Sequence, residues 1–230
     1  MREQRPGAEW TNPMTVPERR NLFVVIILYF LILPAGYTML MLKGRIDEGE
    51  ANTLCYCMSF AYVLMTYMDY LRREFHTLCD KKGRILVELL LSYGAMYCFN
   101  IITDSIISFA GNPNNEALLD LTGTNFRELA AVSVIMAPFV EELIFRAGVF
   151  GLLRERKRIA AYAASILLFS VYHVLSYALV DPSEWIYVLQ YIPVSFLLCR
   201  IYERTKTLWG SILLHMIINL VAVLVLKTTV

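Results

Sequence analysis

The chain has 230 residues, of which 57% are hydrophobic and 18% charged, with a formal net charge of +1. A soluble domain averages roughly 45–50% apolar and about 25% charged residues, so both departures exclude a disordered chain and argue against a soluble enzyme. No broad charged field is available to recruit nucleic acid, and a mean hydropathy of +0.53 indicates a multi-pass membrane protein.

A hydrocarbon core about 30 Å thick takes ~20 apolar residues of helix. Seven stretches qualify: residues 22–42, 51–71, 85–110, 128–150, 159–180, 185–200 and 208–226. The sixth is short and carries Pro193. The first follows a polar tail over residues 1–20, exceeds a signal core and lacks a small-residue cleavage site, so it reads as a retained span. Because buried backbone in lipid must satisfy its own hydrogen bonds, the expected fold is all-α, a polytopic bundle of about seven transmembrane helices. Residues 21–230 are expected to form one domain.

Lys and Arg set the orientation. Sixteen of the 21 fall in the N-terminal tail and in the loops after spans two, four and six; four fall on the other side, and Arg146 lies within span four. The positive-inside rule then places the N-terminus in the cytoplasm and the C-terminus outside. Residues 111–126 form the one long loop on the outer side. The five cysteines, 55, 57, 79, 98 and 199, include no CxxC pair, so neither a disulfide framework nor a cysteine zinc site is expected.

Ionisable groups inside spans cost roughly 2.5–3.5 kcal/mol each on insertion scales, which makes them functional suspects. Span four carries Glu141, Glu142 and Arg146. Glu142 and Arg146, four residues apart, share a helix face; such a pair attracts strongly in low dielectric, and an arginine can satisfy a carboxylate with two parallel bonds. Glu141 points about 100° away. A structural ion pair with a stray acid is the plainer alternative. Span five carries His173, one turn after Phe169; alone, such a histidine more often bonds within a core. Span seven carries Ser211, His215 and Asn219 in one stripe, where interhelical bonding is the ordinary reading. Taken together they outweigh their parts, because two of the chain's three histidines fall in spans at depths near the bilayer centre. His76 lies in a charged loop, and Asp69, Glu88 and Asp104 near span ends read as interface residues.

In chain order, EELIFR fits EExxxR, FSVYH fits FxxxH and HMIIN fits HxxxN. Over about residues 127–226 the chain resembles the intramembrane proteases of the CAAX-processing and bacteriocin-processing (CPBP, Abi) family. That resemblance implies a site built from Glu141, Glu142, Arg146, His173, His215 and Asn219. Glu141 would be the general base and His173 would help hold the water. His215 and Asn219 would donate to the oxyanion, and Glu142 with Arg146 would keep the helix in register. The implied cofactor is none, with zinc as the alternative, since two His and one Glu form a catalytic zinc set although HExxH is missing. The implied partner is a peptide or protein substrate, lipidated or not, in a bacterial cytoplasmic membrane. A non-catalytic immunity or scaffold protein of the same fold remains open, as does a proton-coupled transporter.

Overall fold

The computed structural model describes residues 10–107, 112 and 126–229, without the side chains of residues 104, 106, 226, 228 and 229. The anticipated interface role of Asp104, and most of the loop 111–126, therefore lie outside the described residues.

Seven helices are present among the described residues: α1 (Val16–Leu42), α2 (Glu48–Asp80), α3 (Lys82–Ile106), α4 (126–154), α5 (Arg158–Ala178), α6 (Pro182–Thr205, opening with a 3₁₀ turn) and α7 (Leu208–Thr229). The chain is thus a helical membrane bundle, and a multi-pass integral membrane protein. Five helices, α1, α3, α5, α6 and α7, are long and apolar enough to cross a membrane. The other two of the seven expected spans fall short for identifiable reasons. In α2, tyrosines at 56, 62, 67 and 70 dilute the apolar run; α4 carries Glu141, Glu142 and Arg146.

Helix ends shift where capping outweighs hydropathy. α1 starts at Val16, six residues before the expected boundary, because Thr15 and Glu18 close a reciprocal capping box and Pro17 occupies the first turn. Asp47 and Glu50 do the same for α2. At 33 residues α2 is about 50 Å long, so its last turns extend beyond the hydrocarbon on the side of the basic loops.

The outer faces of the bundle expose apolar side chains such as Phe23, Leu31, Met65, Leu90 and Leu167. α4 is enclosed instead: every residue from Val140 to Gly148 is buried. A stretch carrying Glu141, Glu142 and Arg146 is stable there only because its neighbours shield it from lipid. Wider π-helical turns at Ala131–Met136 and Leu143–Phe150 bracket Glu141 and Glu142, an irregularity that recurs at functional sites.

The basic face is sealed by the N-terminal segment. Trp10 Nε1 donates to the Gly151 carbonyl at 3.1 Å, and Asn12 Nδ2 donates to the Ala147 carbonyl at 2.8 Å. Gly151 permits this approach, since a Cβ there would stand 2.6 Å from Asn12 Nδ2. Around the strap, Arg19 pairs with Glu155, and Arg154 and Arg158 pair with Glu203. Glu88 is not an interface residue. It is 4% exposed and joins α3 to α6 by bonding Arg200 and Arg204, since those two arginines, one turn apart on α6, both reach its carboxylate.

Candidate active site

The enclosed helix α4 brings both carboxylates to the bundle centre, with Glu141 2% and Glu142 0% exposed. They face different partners, as their angular separation requires. Glu142 Oε1 lies 3.2 Å from Arg146 Nη1 and accepts from His215 Nδ1 at 2.8 Å. Two parallel arginine bonds do not form: Arg146 and His215 both approach Oε1, and Glu142 Oε2 has no hydrogen-bond partner among the described residues. Arg146 spends its other arm on α6, donating to Ser195 Oγ at 3.1 Å. Its guanidinium lies 4.2 Å from the centre of the Phe169 ring, a cation–π contact in a desolvated setting.

Phe169 is the hub of the site. Beyond Arg146, its ring meets His173 at 4.3 Å and His215 at 5.9 Å. Its carbonyl accepts from His173 Nδ1 at 2.9 Å. A carbonyl only accepts, so Nδ1 carries the proton and Nε2 of neutral His173 carries a lone pair. His215 likewise directs its Nδ1 proton to an acceptor, the Glu142 carboxylate, so its Nε2 carries a lone pair in the neutral ring and a second proton in the imidazolium. Both Nε2 atoms then face Glu141 Oε2, His173 at 3.7 Å and His215 at 3.9 Å. These gaps exceed a direct hydrogen bond, and Glu141 Oε2 is a buried oxygen with no hydrogen-bond partner among the described residues.

The other oxygen of Glu141 is held by a device that sequence reading missed. Tyr56 of α2 donates to Oε1 at 3.0 Å. Tyr56 is bonded in turn to Tyr29 of α1 at 3.1 Å and to Tyr172 of α5 at 3.2 Å, and those two bond each other. With Tyr56's single proton committed to the carboxylate, the remaining hydroxyls can only relay donation toward it. A mid-span tyrosine hydroxyl needs a partner, but that need alone does not single out Tyr29 and Tyr56 among the chain's 14 tyrosines.

Asn219 departs from its expected aim. Its Nδ2 donates to the Ser133 carbonyl at 2.7 Å, tying α7 to the π-helical turn of α4. Its side chain still lines the cavity. Ser211 bonds back to its own helix at the Leu208 carbonyl. Tyr191 of α6, also unanticipated, stacks on His173 with ring centres 4.6 Å apart. Asn112 bonds both Gln190 and the Tyr191 hydroxyl. All six motif residues thus gather at one place, and Glu141, His173, His215 and Asn219 border a single cavity of about 1320 Å³.

Two carboxylates, a guanidinium and the His215 imidazole are buried at the centre of a multi-pass membrane bundle, with half-buried His173 beside them at a wide cavity. Residues 124–221 match the family described as Type II CAAX prenyl endopeptidase Rce1-like, which bears out, over that segment, the resemblance carried by the three motifs. The chain is 30% identical over 107 residues to a Bacillus subtilis protein named "Putative membrane peptidase YdiL", covering 46% of this chain and 40% of that one. It is 22% identical over 148 residues to the Lactococcus lactis UPF0177 protein YvdC, covering 61% and 54%. The chain therefore spans about half the length of these curated relatives. No solved structure matches. At the level of the family, these likenesses support a membrane protease.

Proposed function

We propose that the chain is an intramembrane endopeptidase in which Glu141 activates a water for attack on a peptide carbonyl. The observation that carries this reading is Glu141 Oε2, buried without a partner and faced by two imidazole Nε2 atoms at 3.7 and 3.9 Å. A water between Glu141 Oε2 and either imidazole Nε2 would lie within hydrogen-bonding distance of both. Its oxygen adds to the carbonyl carbon while its proton passes to Glu141. When the C–N bond breaks, Glu141 returns that proton to the leaving nitrogen. The tyrosine chain holds Oε1 fixed throughout. His215 carrying a proton on Nε2 would donate to the oxyanion, with Glu142 at Nδ1 offsetting the imidazolium charge. Asn219 has a second amide hydrogen for the same purpose, the first being used on Ser133. The cavity exceeds the usual ~300–1,000 Å³ of a small-molecule site, which suits a stretch of polypeptide, lipidated or not.

Zinc is the second reading, favoured by the tautomers: both imidazoles turn Nε2 to Glu141 while their Nδ1 atoms bond a carbonyl and a carboxylate, the support that metal-bound histidines use. His173, His215 and Glu141 would have to draw together to hold the ion, since among the described residues no three His, Cys, Asp or Glu side chains are placed to do so; the ion would supply Lewis acidity. The separations speak for water, since ligands of one tetrahedral zinc with 2.0–2.1 Å bonds stand only about 3.4 Å apart.

Glu141→Gln tests the enzyme directly, with a farnesylated CAAX-type peptide as probe and purified protein in liposomes. Cleavage should fall by about 10²–10⁴-fold, the usual contribution of a general base, while the protein folds normally. Comparing peptides in membranes that carry the wild-type and Glu141→Gln chains extends the test beyond one probe. If no peptide differed, the peptidase reading would fail and a membrane binding or immunity protein of the same fold would replace it.

A further inference from the structure

The cavity draws its walls from one half of the bundle only. Beyond the site, its lining comes from Asp47 and Thr53 at the start of α2, Asn100 near the end of α3, Ser133 on the early turns of α4, and Ala222 on the late turns of α7. Each of these helix ends lies opposite the basic loops. In the other direction, the described residues close the bundle. Glu142, Arg146, Phe145 and Phe150 are all buried. Behind them the strap of Trp10, Asn12 and Met14 covers α4, held by bonds to Gly151 and Ala147. The Arg19–Glu155 and Arg154–Glu203–Arg158 clusters lie across the same face.

Among the described residues, fourteen Lys and Arg mark the closed side and four mark the open side, a bias that favours the closed side in the cytoplasm. We infer that the candidate site is reached from the extracytoplasmic side, so its substrate class is a peptide segment presented there, secreted or anchored in the outer leaflet, and not a cytoplasmic protein tail. That such a segment is cut rests on the peptidase reading above; the side of access rests on the cavity and the charge bias alone. Ser133 stands eight residues before Glu141, about 12 Å along the helix, and its half-buried side chain borders the cavity. A segment entering from that face passes Ser133 before it meets Glu141.

Access can be measured without a substrate. Cys55, Cys57, Cys79 and Cys98 are replaced by serine, buried Cys199 is kept, and single cysteines are introduced as Asn52→Cys at the mouth, Ser133→Cys in the cavity and Lys157→Cys on the basic face. A sulfonated, membrane-impermeant maleimide is applied to sealed right-side-out and inverted vesicles. We expect Asn52→Cys and Ser133→Cys to label fully in right-side-out vesicles, and Lys157→Cys only in inverted ones. The reverse pattern would overturn the inference. So would labelling of Asn52→Cys with Ser133→Cys protected on both sides, since the cavity would then not communicate with that face. Asn52 is exposed, so its substitution does not threaten the fold. Failure of the peptide-cleavage assay alongside the expected labelling would remove the peptidase and leave the access route standing.

Discussion

His215 Nδ1 stands 2.8 Å from Glu142 Oε1, the oxygen that also pairs with Arg146 at 3.2 Å. One carboxylate oxygen thereby fixes the tautomer of a site imidazole and neutralises a fully buried guanidinium. Removing the carboxylate alone leaves Arg146 charged in the bundle core, a loss of about 3–5 kcal/mol. Glu142→Gln should therefore lower the thermal midpoint in detergent sharply and abolish cleavage. The double variant Glu142→Gln/Arg146→Met, which removes both charges, should regain most of the stability but none of the activity. Equal instability of the single and double variants would show that the pair does not act as a unit.

Tyr56 lies outside the family-matched segment 124–221, yet it donates to the proposed general base. A hydrogen bond to a charged group contributes about 1.5–3 kcal/mol. Tyr56→Phe should thus lower kcat by about 10- to 100-fold and leave KM nearly unchanged, because the hydroxyl holds Glu141 and not the peptide. In a Glu141→Gln background the same substitution should have little further effect. A change confined to KM would place Tyr56 in substrate binding instead.

The motif residues of α4, α5 and α7 were legible because charged and imidazole side chains are rare in apolar runs, and their spacing survives folding. Tyrosine carries no such mark. Tyr29 and Tyr56 resemble any aromatic residue of a membrane helix until α1 and α2 pack against α4. Glu88 misled for a related reason: hydropathy places it near a span end, and only the packing of α3 against α6 brings Arg200 and Arg204 to it. Asn219 occupies its expected stripe, but its bond to Ser133 depends on the π-helical turn of α4, which a regular helical repeat does not foretell.

Glu74, on the extension of α2 beyond the membrane, is 4% exposed and accepts the Leu208 N–H at 2.7 Å, capping α7. Burial pushes its carboxyl up to about 7, against the opposing pull of that N–H and of Arg73 and Lys81. A folded-state value above the unfolded one means the folded chain binds the proton more tightly. Stability is then fullest below about pH 4.5 and declines as pH rises to about 7, by about 3 kcal/mol. Thermal unfolding in detergent across pH 4.5–8 should show this slope, and Glu74→Gln should flatten it. An unchanged slope in the variant would assign the effect elsewhere.

Chelation separates the two forms of the mechanism. With water held by Glu141 and an imidazole, dialysis against 1,10-phenanthroline should leave cleavage of the probe peptide unaltered. Loss of cleavage that added zinc restores would establish the ion in its place.

The bond from Trp10 to the Gly151 carbonyl spans 141 positions of sequence. During synthesis the segment around Trp10 must therefore wait, unclasped, while α1 to α4 are made, before its docking surface exists. The latch engages only after the helix bearing the acids is in place. A bulky tag joined immediately ahead of Trp10 would burden that docking more than one placed after α7.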